Sequence, residues 1–251
     1  MILRHLSANL RAQNWVAITV EFMLVVLGVF FGILAANWNQ ERLAKRETAV
    51  LLGQLDTELV GFVEYIDGVG RYYETAGRYA DRAAAAWEGD RSVSDTAFVI
   101  AAYQASQING IGNNADVWGA IFGAENLRDI DDTVIRTSLG NVMTFDYALT
   151  DLQAVTSRYR EEVRKTIPNK IQAAIRERCG DRLVRNGLEL PVKCGLKLPE
   201  ADVRKAAAAR RARPELLAEL HWHRAAIANQ MFQARVVQRH ARTLVERIGA
   251  D

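Results

Sequence analysis

Proline and aromatic residues are scarce in this chain: four prolines in 251 residues, and Phe, Trp and Tyr together at 8%. That scarcity points away from an all-β design. Cysteine is scarcer still, with two. Signatures of enzyme chemistry are missing as well. There is no G-x-S-x-G, no H-E-x-x-H and no Gly-rich loop between strand and helix. Gly110-Ile111-Gly112 follows a helical stretch and lacks the strand that a phosphate cradle requires. His221-Trp222-His223 looks like a metal pair, but residues i and i+2 of a helix face different sides. Glu219 and His223, four apart, could share a ligand, yet two side chains do not make a site. His223 falls beside an apolar stripe, where a satisfied core histidine is the better reading. Residues 204–213 (RKAAAARRAR) are basic without the interleaved aromatics that base stacking needs. They read as a solvated helix face or as the partner of an acidic helix, not as a nucleic-acid surface. No catalytic residue, metal or cofactor is expected, and the chain is read as a non-enzyme.

What the sequence does contain is helix-forming: Ala, Arg, Leu and Glu abound. The length suffices for a sizeable core. The net charge of +2 conceals an asymmetry. Residues 47–157 hold 6 Lys and Arg against 17 Asp and Glu, a net of −11, and residues 158–251 hold 21 against 11, a net of +10. Matching acidic and basic halves on one chain imply mutual neutralisation, within a subunit or between neighbours.

Residues 16–36 read VAITVEFMLVVLGVFFGILAA. At 1.5 Å per residue they span about 31 Å, the thickness of a bilayer's hydrocarbon core. Trp15 and Trp38 bracket the run where an aromatic belt would lie, and Asn37 and Asn39 close it with Gln40, Glu41 and Arg42. A cleaved signal peptide would have a shorter apolar region and an A-x-A site. Residues 15–38 are therefore read as a transmembrane helix, residues 39–251 as a water-soluble domain, and residues 1–14 as an interfacial segment with Ile2, Leu3, Leu6 and Leu10 on one face.

Glu21 is costly inside a membrane unless neutral, paired or hidden between helices. Steps of three and four from it reach Val25, Gly28, Gly32, Ala35 and Asn39, so the polar residue and both glycines of a G-x-x-x-G share one stripe. The stripe points to helix–helix contact, with a second copy or with another inner-membrane protein. The alternative is a monomeric anchor whose Glu21 is protonated or reaches the headgroups. No second intramembrane charge supports a proton path.

Beyond the span, Leu52, Leu55, Leu59, Phe62, Ile66, Val69, Tyr73, Ala76, Ala80, Ala83 and Trp87 recur at alternating steps of three and four. That is an unbroken heptad seam, compatible with an intramolecular bundle or an oligomeric coiled coil. Gly89 signals its end. Ser94-Asp95 offers an N-cap for a helix over 96–108, with Phe98, Ala101, Ala105 and Ile108 as its stripe. A turn at 109–114 and a short helix at 115–122 follow. Asp131 or Asp132 caps a long helix carrying Ile135, Leu139, Val142, Phe145, Leu149, Leu152, Tyr159 and Val163. Pro168 breaks it and Gly180 ends its continuation. Pro199 and Pro214 suit first helical turns. A last helix over 214–248 turns Leu220, Ile227, Met231, Ala234, Val237, Ala241, Leu244 and Ile248 inward. The expected fold is all-α: an N-terminal transmembrane helix continuing into an antiparallel bundle of long helices.

One insert, 179–194, is not helical. Asn186-Gly187 is a two-residue hairpin turn, and Cys179 and Cys194 lie equidistant from it. Facing each other, their Cα atoms would be about 5.5 Å apart, a distance a disulfide accepts. Two free cysteines are the alternative. A bridge needs an oxidising compartment, which places the domain in the periplasm and the N-terminal segment in the cytoplasm.

The stretch from Val20-Glu21 through Leu24-Val25-Val26, Gly28 and Ala35 to Asn37-Trp38-Asn39-Gln40-Glu41 resembles a bacterial family of single-pass membrane proteins of unknown function. The segment beginning Trp118-Gly119-Ala120-Ile121-Phe122-Gly123 looks like that family's second landmark. Val20 stands where the family has Gly, Gln40 where Glu is usual, and the cysteine hairpin lies outside the pattern. The resemblance implies a bacterial inner-membrane protein and brings no catalytic residue. The resulting expectation is an oligomeric scaffold or accessory subunit of an inner-membrane assembly, with the bilayer and a membrane protein as partners and no nucleic acid. A periplasmic ligand-sensing bundle signalling through a partner is the second reading, and an enzyme the third.

Overall fold

Heptad periodicity and the lack of any helix breaker between Trp15 and Trp87 produce one continuous 73-residue helix, α1. At 1.5 Å per residue it is a rod of about 110 Å. The computed structural model describes residues 15–111, 115–123, 125–150, 157–185 and 187–249, and 79% of the chain is helical. The expected interfacial helix at 1–14, Leu152, Asn186 and the 112–114 end of the expected turn lie outside the described residues. After α1 come α2 (Asp95–Gln104), α3 (Ala115–Phe122), α4 (Thr133–Thr144), α5 (Arg158–Lys165), α6 (Asn169–Cys179), β1 (Arg182–Val184), β2 (Gly187–Glu189), α7 (Glu200–Arg211) and α8 (Glu215–Ile248). Single 3-10 turns cover Glu125–Asp129 and Tyr147–Thr150.

The first half of α1 is apolar and uncovered, and Thr48 is its first buried residue. From there the seam is the core: Leu55, Leu59, Phe62, Ile66, Val69, Tyr73, Ala76, Ala80 and Ala83 are all buried within the single chain. The seam is therefore closed intramolecularly. It is not a free coiled-coil surface, because α8 lies antiparallel along it and α2, α3 and β2 cover the remainder. Three ties set the register of α8. Arg242 meets Asp67 at 3.2 Å, Arg224 meets Asp81 at 2.7 Å, and the Gln238 amide donates to the carbonyl of Val63 at 2.9 Å. With Arg211–Asp95 and Arg247–Asp132, four bridges join the basic half of the chain to the acidic half. Each is worth about 0–1 kcal/mol at such exposed sites, so they select the pairing more than they stabilise it.

α2 is buried on every side from Phe98 to Gln104, between α1 and α7. It starts at the Ser94 cap, as its sequence predicts, but has no amphipathic stripe because no face meets water. The long helix expected after Asp132 is broken. Asp132 caps α4 by accepting from the N–H groups of Val134 and Ile135, yet α4 stops at Thr144 and α5 restarts at the Ser157 cap. Phe145 takes extended backbone, and the carboxylate of Asp146 accepts from the N–H of Ala148. On one helix Phe145 and Tyr147 would face different sides. The break turns both toward the core, with ring centroids 5.0 Å apart and Tyr147 against Phe62 and Trp118. Leu149, expected inward, is consequently 52% exposed.

The hairpin forms two residues out of the expected register: Leu188 opposes Leu183, not Arg185, and Gly187, expected in the turn, opposes Val184. Gly187 adopts φ +120° and lies so close to the Tyr65 ring that a Cβ would sit 3.2 Å from it. Packing on Tyr65 thus draws Gly187 out of the turn and into β2. The disulfide is present with Cα atoms 5.4 Å apart, but it joins the last residue of α6 to the loop after β2 and is not a rung of the ladder.

Candidate functional site

Two regions of α1 carry features that the packing of the bundle does not use. The first is the apolar half. Among the described residues, one helix is long and apolar enough to cross a membrane, with mean hydropathy 2.5 and none of that window buried. Glu21 is half-buried, Val25 is 48% exposed, and a Cβ built on Gly28 or Gly32 meets nothing within 4 Å. Ala35, Asn37 and Asn39 are exposed, as are Trp15 and Trp38 at the two ends of the run. The sequence-derived stripe is thus one continuous, unoccupied face.

The second region is a groove of about 550 Å³ between α1 and α8. Gly70 and Gly77 on α1 and Ala228 on α8 supply too little side chain to fill the space between the rods, and Tyr73, Ile227 and Met231 form apolar walls. Glu74 and Arg235 line it and have no ion pair among the described residues, whereas Asp81 and Arg224 pair across one end. Ala105 closes the back. The sequence reading missed this groove because its walls are about 150 residues apart in the chain; only the glycines inside the seam-bearing helix could have signalled it.

Behind the groove the loop that follows α2 is buried, and its backbone polar groups need partners. Tyr65 donates to Gly110 O at 2.7 Å, Tyr73 to Asn109 O at 2.7 Å, and Arg160 to Ser106 O at 2.6 Å. Arg164 donates to Ser106 Oγ and Gln107 Oε1 while lying over the Tyr103 ring. Burial raises the Tyr72, Tyr73 and Tyr159 hydroxyls well above their ordinary range and lowers Arg160 and Arg164. Tyr65 and Tyr73 thus serve the loop, whereas Tyr72 donates to the Asp181 carboxylate and Tyr159 to the Ala102 carbonyl within α2.

His223 is 4% exposed, stacked against Tyr159 at 5.6 Å, and hydrogen-bonded to the carbonyl of Ala105, with Nε2 unpartnered. Burial, reinforced by Arg160, pushes its pKa down to about 4, so the ring is neutral at physiological pH. Glu219 turns to Arg158 at 3.4 Å, so the two groups that might have shared a ligand are engaged elsewhere. Among the described residues no three His, Cys, Asp or Glu side chains converge as a metal site.

Arg210, in the basic run read as a solvated face, is fully buried. Its Nη1 donates to Ala206 O at 2.7 Å, while Nε and Nη2 have no partner. Burial lowers its pKa to about 10. The spacing Val203, Ala206, Ala207, Arg210 on the inner face of α7 was the available signal. No family model, curated protein or solved structure matches the chain.

Proposed function

We propose that the chain is a membrane-anchored, non-enzymatic helical bundle, a scaffold or accessory subunit of a bacterial inner-membrane assembly. Residues 15–38 cross the bilayer and residues 39–251 stand in the periplasm. The observation that carries this reading is that α1 is apolar and wholly uncovered over its first half, while its second half forms the core of a folded domain. Association is assigned to the Glu21, Val25, Gly28, Gly32 and Ala35 stripe, since the 52–87 seam is already filled by the chain's own helices. The periplasmic side rests on the Cys179–Cys194 pair, which requires an oxidising compartment. The likeness of residues 15–50 to the single-pass family points the same way. Gly28→Leu or Gly32→Leu is expected to shift the detergent-extracted species to smaller mass; an unchanged mass would count against the contact. Extraction from vesicles by carbonate would remove the anchor itself.

The groove favours one second reading, a periplasmic bundle that senses a ligand through a partner. Its volume falls within the range of small-molecule sites, and it combines apolar walls with a few polar groups. Thermal shift against a panel of periplasmic metabolites separates the two readings.

A further inference from the structure

The short stretch between the apolar run and the bundle is built differently from either. Trp38, Arg42, Lys45, Arg46 and Ala49 recur along one face of α1 and line a cleft of about 410 Å³ together with Glu41. The cleft lies under the bundle, whose lowest tie to this face is Lys45–Asp131 at 2.7 Å. Arg42 stands about 6 Å above Trp38 and Lys45 and Arg46 about 10–12 Å above it, at and just beyond a headgroup layer about 5–8 Å deep, which long cationic side chains reach back to. Lys45 is matched by Asp131, with Glu41 and Asp129 also near it, which leaves Arg42 and Arg46 as the cations open to a ligand on this face.

Among the described residues neither Arg42 nor Arg46 has an ion pair, and as like charges four residues apart they repel on the helix. Arg42 instead places its guanidinium over the Trp38 ring, 5.9 Å from the centroid, which fixes it at the edge of the apolar run. An indole at the boundary and two guanidiniums on one face, with the Lys45 ammonium held beside them by Asp131, suit a phosphodiester in a membrane surface. We infer that this cleft binds the headgroup of an anionic phospholipid and so sets the height of the bundle above the bilayer. The inference rests on the reading of residues 15–38 as a membrane span, and it holds for either orientation.

The test uses the full chain reconstituted in phosphatidylcholine vesicles carrying spin-labelled phosphatidylglycerol or spin-labelled phosphatidylcholine. The native protein is expected to restrict the anionic label in preference to the zwitterionic one. Arg42→Ala and Arg46→Ala each lower that preference about fivefold, and the double variant abolishes it. Arg239→Ala, the same charge change on α8, leaves it unchanged. Circular dichroism establishes that the variants fold, and the Arg42→Lys, Arg46→Lys pair retains most of the preference. Equal restriction of both labels by the native protein overturns the headgroup site and leaves the span standing. A preference that survives the double variant, or that Arg239→Ala also removes, overturns the site. Failure of the native chain to incorporate overturns both the site and the span.

Discussion

The indole Nε1 of Trp87, the last residue of α1, donates at 3.0 Å to the backbone carbonyl of Arg210, 123 residues later in α7. The same indole packs edge-on against Phe98, at 4.9 Å, and Tyr159, at 6.3 Å. One side chain thus locks the far end of the long rod to α2, α5 and α7. Trp87→Phe keeps the rings and loses the bond, so it is expected to cost about 1 kcal/mol, read as a lower thermal midpoint in detergent.

The side chain of Arg210 is a different matter. Burial disfavours its charge and lowers its pKa to about 10, so at physiological pH it remains charged, with two nitrogens unpaired, and carries that desolvation penalty. Replacing it by an apolar group of similar length removes that penalty. Arg210→Met is expected to raise stability by about 1–3 kcal/mol, whereas Arg210→Ala leaves a cavity and lowers it by about 2–3 kcal/mol. Denaturant midpoints of the two variants, compared with the native chain, decide the sign.

His223 links stability to pH. Its folded pKa of about 4 lies below the ordinary 6.5, so the unfolded chain binds the proton first. The neutral ring's contribution is complete above pH 6.5 and is lost as pH falls toward 4. By pH 4.5 the loss is about 2–3 kcal/mol. His223→Phe should flatten the stability–pH curve in that window, and parallel curves for the two proteins would refute the assignment.

Reduction of the Cys179–Cys194 bridge releases a loop with a sequence separation of 15. The expected loss is about 3 kcal/mol, or about 6–12 °C in Tm for a chain of this size. Thermal melts with and without dithiothreitol measure it.

Gly77 tests the groove. Nothing lies within 4 Å of a Cβ built there, so its cost in a helix is not recovered by close packing. Gly77→Ala is expected to stabilise the empty protein by about 0.5–1 kcal/mol. A loss instead would mean that the two rods already meet at this point.

Legibility in the sequence followed the range of the forces involved. The α1 seam, the Ser94 and Asp132 caps, the inner face of α8 and the cysteine pairing were all readable, because periodicity, caps and turn spacing are local. The break at Phe145 was not, because it accompanies the packing of Tyr147 on Phe62 and Trp118 from distant helices, with Phe145 against Tyr147. The hairpin register was missed for the same reason, since Tyr65 on α1 decides where Gly187 sits. In the candidate site, the stripe from Glu21 to Ala35 was visible as a pattern. The groove and the burial of Arg210 depend on how α7 and α8 fold back, which no single segment reveals.

That folding back sets an order of events during synthesis. The seam of α1 leaves the ribosome long before its main cover, α8, which begins at Glu215. At 5–20 residues per second the interval is on the order of ten seconds, during which the part of the seam that α8 covers stands bare. Nascent chains stopped before α8 should therefore be chaperone clients, while the finished protein should not.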